Sequence, residues 1–305
     1  MITYAVRRIL VAVPLLLGAS TLVFLLIHLI PGDPIEVMLG PGAGGADIED
    51  LRHRLGLDRP LAAQYGVFLG GLLKGDLGLS LRYRDPVTTL IAERYPATLL
   101  LAVTSLAMAV GLALPLGLGA ALNPGSLVDR GTTLFSALAL AMPTFWLGPL
   151  LILMFAVRLD WLPVSGFDSP AALLLPATTL ALSLAALLAR LLRAALARET
   201  GAPYVLAARG RGQPRYRAIA RHALRNALAP VLMVAALQLG SLLTGAILTE
   251  TVFSWPGLGR LLVQAISHRD YPLVQGAVLL IAVTYIAVNL SADLLHGMLD
   301  PRLSR

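Results

Sequence analysis

The polar side chains best placed for chemistry in an apolar setting lie near the C-terminus. Tyr285, Asn289, Asp293 and His296 are separated by four, four and three residues, a spacing that puts them on one face of a helix. Charged side chains inside membrane helices are costly and usually face the interior of a bundle. Asn289 and Asp293 are therefore candidates for a transport pathway. In a second interpretation, Asp293 anchors the helix end or pairs with an arginine at the membrane surface.

The sequence has no set of residues with the spacing of a catalytic or metal site. Lys74 is the only lysine, and it does not belong to a Gly-Lys-Ser/Thr phosphate-binding turn. There is no cysteine, and no histidine lies three or four residues from another. We therefore expect no enzyme activity, no metal site and no cofactor in this chain. A proton-coupled carrier that uses Asp293 and His296 as a relay remains a competing hypothesis.

A second informative stretch lies between residues 204 and 226. Its first six residues predict a short helix with small residues at its centre, which Gly210 and Gly212 end. Pro214 then begins a second helix. A short helix of this kind between two spans suits docking into a groove of a partner protein. The alternative is a solvated basic loop that is attracted to anionic lipid.

The elements that must position these residues are membrane helices. The 305 residues are 57% hydrophobic and 13% charged, whereas a soluble domain has roughly 25% charged residues. This composition excludes a soluble enzyme and a disordered chain. Segments of about 20 apolar residues are long enough to cross a bilayer. Six segments qualify and predict an all-α membrane protein with six transmembrane helices, at 9–30, 97–122, 131–157, 171–192, 227–249 and 274–297.

The basic residues predict the orientation. Residues 190–225 contain nine arginines and only one acidic residue, Glu199. Four more arginines lie near the chain ends: Arg7, Arg8, Arg302 and Arg305. Under the positive-inside rule both termini are cytoplasmic. The net charge of +7 is then a signal of topology, and nucleic acid is not an expected partner.

The long connection between the first two spans predicts an extracytoplasmic helical insert. One helix should begin at residues 47–50, and another after Pro60, with an apolar face that packs on the mouth of the bundle. The predicted division is therefore an N-terminal segment with the first span (1–30), the insert (31–95), the remaining five spans with a cytoplasmic loop at 194–226 (96–297), and a cytoplasmic tail (298–305).

Short sequence motifs occur at intervals along almost the whole chain. They lie at 31–34, 55–60, 75–80, 142–146, 250–259, 269–272 and 300–302, in addition to the 204–226 stretch. In this order they resemble the permease subunits of the dipeptide, oligopeptide and nickel family of binding-protein-dependent ATP-binding-cassette importers. The family's coupling motif has a glutamate where this chain has Leu206.

The resemblance implies a type I importer permease fold in a bacterial inner membrane. It implies four kinds of partner: a second related permease, two cytoplasmic subunits that bind ATP and magnesium, an extracytoplasmic substrate-binding protein, and membrane lipid. Peptides are the expected cargo, with nickel or a nickel chelate as the alternative. Trp161, Arg269 and Asp270 are candidate contacts for the binding protein.

The resemblance also assigns two groups of site residues. The ATPase-coupling motif comprises Tyr204, Ala207, Ala208, Arg209, Gly212 and Pro214, and the external family motif comprises Glu250, Phe253, Pro256, Gly257, Gly259 and Asp270.

Overall fold

The computed structural model describes residues 2–29, 44–45, 49, 52–53 and 58–299. Over these residues the chain is helical and contains no β-strand, which agrees with the all-α prediction. The helices are α1 (Ile2–Leu29), α2 (Leu61–Leu73), α3 (Val87–Leu122), α4 (Leu127–Ala141), α5 (Thr144–Leu151), α6 (Leu174–Thr200), α7 (Pro203–Gly210), α8 (Arg215–Ala218), α9 (Leu224–Val252), α10 (Leu258–Ser267) and α11 (Tyr271–Leu299). A short 3₁₀ turn (Pro170–Leu173) precedes α6, and π-helical stretches follow α5 (Ile152–Arg158) and join α8 to α9 (Ile219–Ala223).

Five continuous helical stretches in the described part of the chain are long and apolar enough to cross a membrane. They are Arg8–Leu25 within α1, Val87–Leu122, Pro170–Thr200, Arg215–Thr244 and Tyr271–Leu294. A sixth crossing is obtained when the bent pair Leu127–Ala141 and Thr144–Arg158 is counted as one span. The predicted number of spans therefore depends on this pair.

The third predicted span is bent and is not one straight helix. Its two helices meet at 107°, and the break falls at Met142 and Pro143. Pro143 has no backbone N–H and disfavours helical geometry in the residue before it. Met142 is accordingly extended, with ψ 119°, and its N–H donates a hydrogen bond to the carbonyl oxygen of Leu138 at 3.1 Å. The chain turns sharply here, whereas Pro96 and Pro115 lie within the unbroken α3.

The core forms where α3 packs along α6. Both helices contribute fully buried alanines and leucines, such as Ala102 and Leu101 in α3 and Ala185 and Leu188 in α6. Gly117 lies so close to α6 that an added Cβ would stand 2.9 Å from the carbonyl oxygen of Ala189. Small residues let helix backbones approach closely in membranes, and this pair anchors the bundle.

The insert is described without gaps from residue 58 onward. The helix predicted after Pro60 is present as α2, and its apolar face contacts α1. Tyr65 hydrogen-bonds Thr21 at 2.6 Å, and the Phe24 ring lies 5.2 Å from Tyr65 and 5.7 Å from Phe68. The helix predicted to begin at 47–50, the motif at 31–34 and the tail from residue 300 lie outside the continuously described residues.

Candidate functional site

The short helix predicted from the small residues is α7, and it has one buried face and one exposed face. Pro203 occupies its first turn, where the missing N–H needs no partner. Val205 and Ala208 are buried and pack into the same core cluster as the ends of α6 and α9. Leu206, Ala207 and Arg209 are exposed, so the helix is fixed to the bundle by one side only.

Gly212 explains how α7 ends. Its φ of +88° lies in the left-handed region, which glycine adopts far more easily than any other residue. The amide of Gly212 donates to Arg209 O at 2.9 Å, and that of Gln213 donates to Ala208 O at 3.3 Å. These bonds satisfy the last carbonyls of the helix. An added Cβ would meet no atom within 4 Å, so glycine is required here by conformation and not by space.

Pro214 begins the next helix, as predicted, and that helix continues into a span. The carbonyl of Pro214 accepts bonds from Arg217 and Ala218, both at 3.0 Å. From Arg215 to Val252 the chain is helical throughout, through the π-helical stretch. The end of α7 is therefore joined by a four-residue turn to a rod that reaches the opposite side of the bundle.

Tyr204 ties three elements together. Its hydroxyl donates to the Glu199 carboxylate at the end of α6 and accepts from Asn226 Nδ2 near the start of α9 at 2.9 Å. Partial burial, with the hydrogen bond to Glu199, raises the pKa of Tyr204 above its usual value. The phenol therefore stays protonated and keeps its role as the donor to Glu199.

The exposed side chains around α7 form what we call the coupling surface. Tyr204, Leu206 and Tyr216 are 40%, 50% and 61% exposed. Ala207, Arg209, Gly212 and Pro214 are exposed beside them, and Ala208 lies beneath. The surface thus has an apolar and aromatic centre with arginines around it, a composition enriched in the central part of protein interfaces.

At the other end of α9, the external motif is buried. We call this region the external cap, comprising Glu250, Phe253, Trp255, Pro256, Gly257 and Gly259. The Glu250 carboxylate is fully buried and accepts from Thr98 Oγ1 at 2.6 Å and from the amide of Arg260 at 3.0 Å. Thr98 in turn accepts from the amide of Leu258 at 2.7 Å. Glu250 and Thr98 therefore accept hydrogen bonds from backbone amides in the first turn of α10, which have no partner within the helix. A negative charge is also favourable at this end of a helix.

The two glycines of the cap make room for this carboxylate. A Cβ at Gly257 would stand 2.2 Å from the Glu250 carboxyl, and a Cβ at Gly259 would stand 2.5 Å from Ile247 Cα. Gly257 is extended rather than left-handed. Close approach, and not an unusual backbone angle, therefore accounts for both glycines.

The aromatic residues of the cap connect it to its neighbours. The Phe253 ring is buried over Gly148 of α5, and the Phe253 carbonyl accepts from the amide of Gly166 at 3.3 Å. Trp255 Nε1 donates to Ala97 O of α3 at 2.9 Å. Pro256 follows and is half-buried. The cap thus joins α3, the bent segment and α9.

Asp270 also faces inward. Its carboxylate is 1% exposed and accepts from Ser80 Oγ at 2.5 Å and from the amides of Leu81 and Arg82 at 3.1 and 3.3 Å. It therefore fastens the end of the insert to the start of α11. Trp161 and Arg269, the other candidate contacts for the binding protein, are exposed.

The polar stripe of α11 lies beside α1 and α9. Asp293 forms an ion pair with Arg8 of α1 at 2.6 Å, and Asn289 Nδ2 donates to Tyr285 O of its own helix at 2.9 Å. A Cβ on Gly240 of α9 would stand 2.9 Å from the Tyr285 ring. The pairing interpretation of Asp293 matches this geometry, and a role of Asn289 and Asp293 in a pathway stays a prediction.

Some functional partners were not evident from sequence reasoning. Thr98 and Ser80 lie 152 and 190 residues from the carboxylates they contact, and single hydroxyl residues in such positions carry no local signal. Asp129 likewise pairs with Arg193 across two helices. Among the described residues no group of three or more histidine, aspartate or glutamate side chains could hold a metal ion.

Comparison with known proteins places this architecture in a family. The family described as binding-protein-dependent transport system inner membrane component matches residues 113–305, and its N-terminal companion matches residues 1–102. The di/tripeptide transport system permease protein DppB of Pseudomonas aeruginosa is 41% identical over 332 aligned positions. The glutathione transport system permease protein GsiC of Escherichia coli K12 is 40% identical over 303. Each comparison covers 99% of both chains.

A solved structure shares the fold. The crystal structure of an amino acid ABC transporter with histidines has a chain that superposes with a TM-score of 0.54, at 18% identity, over 70% of this chain and 94% of its own length. The multi-pass architecture, the two family matches and the full-length relatives together show that this chain belongs to the family of inner membrane components of binding-protein-dependent transport systems.

Proposed function

We propose that this chain is a permease subunit that forms half of the translocation pathway of an ATP-driven importer for di- and tripeptides, glutathione among them. The similarity to the di/tripeptide permease over 99% of both chains carries this proposal. The glutathione permease, also a relative at full length, transports a cargo of the same chemical class. Nickel or a nickel chelate is the second candidate cargo from the family resemblance, and neither relative supports it.

The energy source belongs to partner subunits in this proposal. The chain has no phosphate-binding turn, so ATP and magnesium bind to two cytoplasmic subunits. A second permease completes the pathway, and an extracytoplasmic binding protein delivers the peptide. The arginine-rich side is cytoplasmic, which places both termini, the coupling surface and the pair of Arg8 with Asp293 on that side.

The coupling surface supplies the contact with the ATPase. Its exposed Leu206 and Tyr216 fit a groove, while the buried Val205 and Ala208 connect the helix to the core. Closure of the ATPase subunits displaces α7. The continuous helix from Arg215 carries this motion into the bundle. Leu206 replaces the family's glutamate, so the contact at this position is apolar rather than ionic.

Uptake measurements on the purified complex test the proposal. The chain is reconstituted with its second permease, its ATPase subunits and its binding protein in proteoliposomes, and radiolabelled dipeptide, glutathione and nickel are supplied in turn. We expect uptake of dipeptide that requires ATP and the binding protein, and competition by unlabelled tripeptide. Nickel uptake without peptide uptake would instead identify the alternative cargo.

The same vesicles separate this importer from a secondary carrier. A proton-coupled carrier would accumulate peptide with this chain alone under an imposed proton gradient and without ATP. We expect no uptake under those conditions, because no energy-coupling subunit is present. Accumulation driven by the gradient alone would contradict the proposed function.

A further inference from the structure

A hollow opens between α4 and α6 on the arginine-rich side of the bundle. The two helices run antiparallel, with Ser183 Oγ donating to Ala139 O at 3.2 Å and Ser136 Oγ to Ala186 O at 3.4 Å. The hollow lies beside these contacts, toward the start of α4 and the end of α6, and has a volume of about 380 Å³. Its lining combines two arginines, two threonines and two alanines: Thr132, Thr133, Ala137, Arg190, Arg193 and Ala194.

One arginine of the hollow is fixed in place by an acid. The Asp129 carboxylate is 5% exposed; its Oδ2 accepts a hydrogen bond from Arg193 Nη2 at 2.9 Å, and its Oδ1 forms an ion pair with Arg193 Nε at 2.5 Å. The amide of Gly125 also donates to it at 2.9 Å. This two-point pairing orients the guanidinium and leaves the N–H groups of Nη1 directed away from the carboxylate. Asp129 neutralises Arg193, so its guanidinium contributes donors to the hollow but no net charge.

The net positive charge of the hollow comes from Arg190. Arg190 is exposed on the same face of α6, and no carboxylate of the described residues forms an ion pair with it. Thr133 and Thr132 already donate their hydroxyl protons, to Asp129 O at 2.8 Å and to Leu116 O at 3.5 Å, so the two arginines supply the donors of the hollow. Such a set of donors matches the oxygens of a phosphate group, which arginine binds well.

The surface that extends from the hollow toward the membrane centre is apolar. Leu138 of α4 and Leu187 of α6, one turn deeper than Thr133 and Arg190, are 52% and 36% exposed, and Leu134 is 61% exposed. An amphiphile that places its phosphate at Arg190 would therefore lay its chains along leucines. A soluble anion would use only the polar part of this surface.

We propose that this hollow is a binding site for the headgroup of an anionic phospholipid. Basic pockets between transmembrane helices on the cytoplasmic side bind such headgroups, and the site rests on the orientation given under the proposed function. A bound lipid joins α4 to α6 within about three helical turns of Thr200, where α6 ends ahead of the coupling surface. It thereby stabilises the base on which α7 moves.

Lipid binding to the assembled importer tests this site. The full-length chain, purified with its partners, is delipidated in detergent and titrated with phosphatidylglycerol, and bound lipid is counted by native mass spectrometry. Arg190→Gln should lower binding about fivefold, the effect of one arginine near an anionic surface, and Arg190→Lys should retain most of it. Arg198→Gln is the matched control, because it removes an exposed arginine of α6 that does not line the hollow.

Three results would overturn the lipid proposal. One is an equal loss of binding in Arg190→Gln and Arg198→Gln. Another is displacement of phosphatidylglycerol by inorganic phosphate at similar concentration, or binding of zwitterionic phosphatidylethanolamine as tightly as phosphatidylglycerol. The third is binding to the isolated chain but not to the importer, which would assign the hollow to the second permease. Peptide uptake, measured in parallel, reports on the proposed function separately, so either proposal can fail alone.

Discussion

The two ends of the helix that runs from Arg215 to Val252 carry motif residues in opposite environments. At the coupling surface the motif side chains are exposed, with Ala208 as the buried exception. At the external cap Glu250, Phe253, Gly257 and Gly259 are buried, and each has a specific contact. The difference supports our proposal that the first motif is a surface for another protein, whereas the second motif joins elements within this chain.

The largest effect on stability should come from adding one carbon at the external cap, and the same change at the end of α7 should have little effect. Gly257→Ala places a Cβ against the Glu250 carboxyl, and we expect a loss of about 3 kcal/mol in stability, as in overpacked cores. Gly210→Ala adds the same carbon where nothing lies within 4 Å, and should change stability by less than about 0.5 kcal/mol. Thermal unfolding of the purified variants in detergent measures both. Similar melting temperatures would remove the contrast between the ends.

The next effect concerns the buried carboxylate itself. Glu250→Ala leaves the hydroxyl of Thr98 and the amide of Arg260 without their acceptor, which should cost about 2 kcal/mol. Glu250→Gln keeps one acceptor oxygen and should fall between Ala and the wild type. Both variants should transport a normal amount of peptide per ATP, because the coupling surface is intact. An altered ratio would show that the cap takes part in coupling.

Gly212 tests the cytoplasmic end. Gly212→Leu forces a bulky residue into a left-handed conformation, which costs roughly 1–2 kcal/mol and should distort the turn between α7 and α8. We expect uptake about tenfold lower, equivalent to about 1.4 kcal/mol, while ATP hydrolysis continues. Gly75→Leu is the matched control, since Gly75 has φ +73° and open space but lies outside the coupling surface. Normal uptake in Gly212→Leu would count heavily against docking.

The smallest effect is expected at the ion pair between α1 and α11. Arg8 and Asp293 are both partly exposed, so Asp293→Asn should cost no more than about 1 kcal/mol. We expect uptake close to that of the wild type, because the carboxylate already has Arg8 as a partner. A loss of uptake well beyond the loss of folded protein would favour the pathway interpretation of Asp293 and Asn289.

Much of the fold could be predicted from local patterns. Apolar runs locate the membrane helices, and Gly212 and Pro214 mark the turn after α7, because each imposes a backbone geometry on its own. The bend at Pro143 was not predicted, since Pro115 occupies equally apolar surroundings without breaking α3. Packing around each proline decides the outcome, and packing is not a local property.

The site residues also divide into those that the local sequence predicts and those whose contacts depend on the tertiary structure. The coupling motif is a continuous stretch, so its exposed face could be anticipated from one helix. The meaning of Glu250 and Asp270 depends on Thr98 and Ser80, which are distant in sequence. The motif therefore identified the carboxylates, but only the tertiary structure shows that both face inward.

Cross-linking to the ATPase subunit tests the central claim most directly. The chain has no cysteine, so Leu206→Cys and Val205→Cys each introduce a unique thiol on adjacent residues of α7, one 50% exposed and one fully buried. With a short thiol–amine cross-linker in the assembled importer, we expect Leu206→Cys to link to the ATPase subunit, with a yield that changes when ATP is added, and Val205→Cys to remain unlinked. No link from Leu206→Cys in an importer that still transports peptide would contradict the coupling surface.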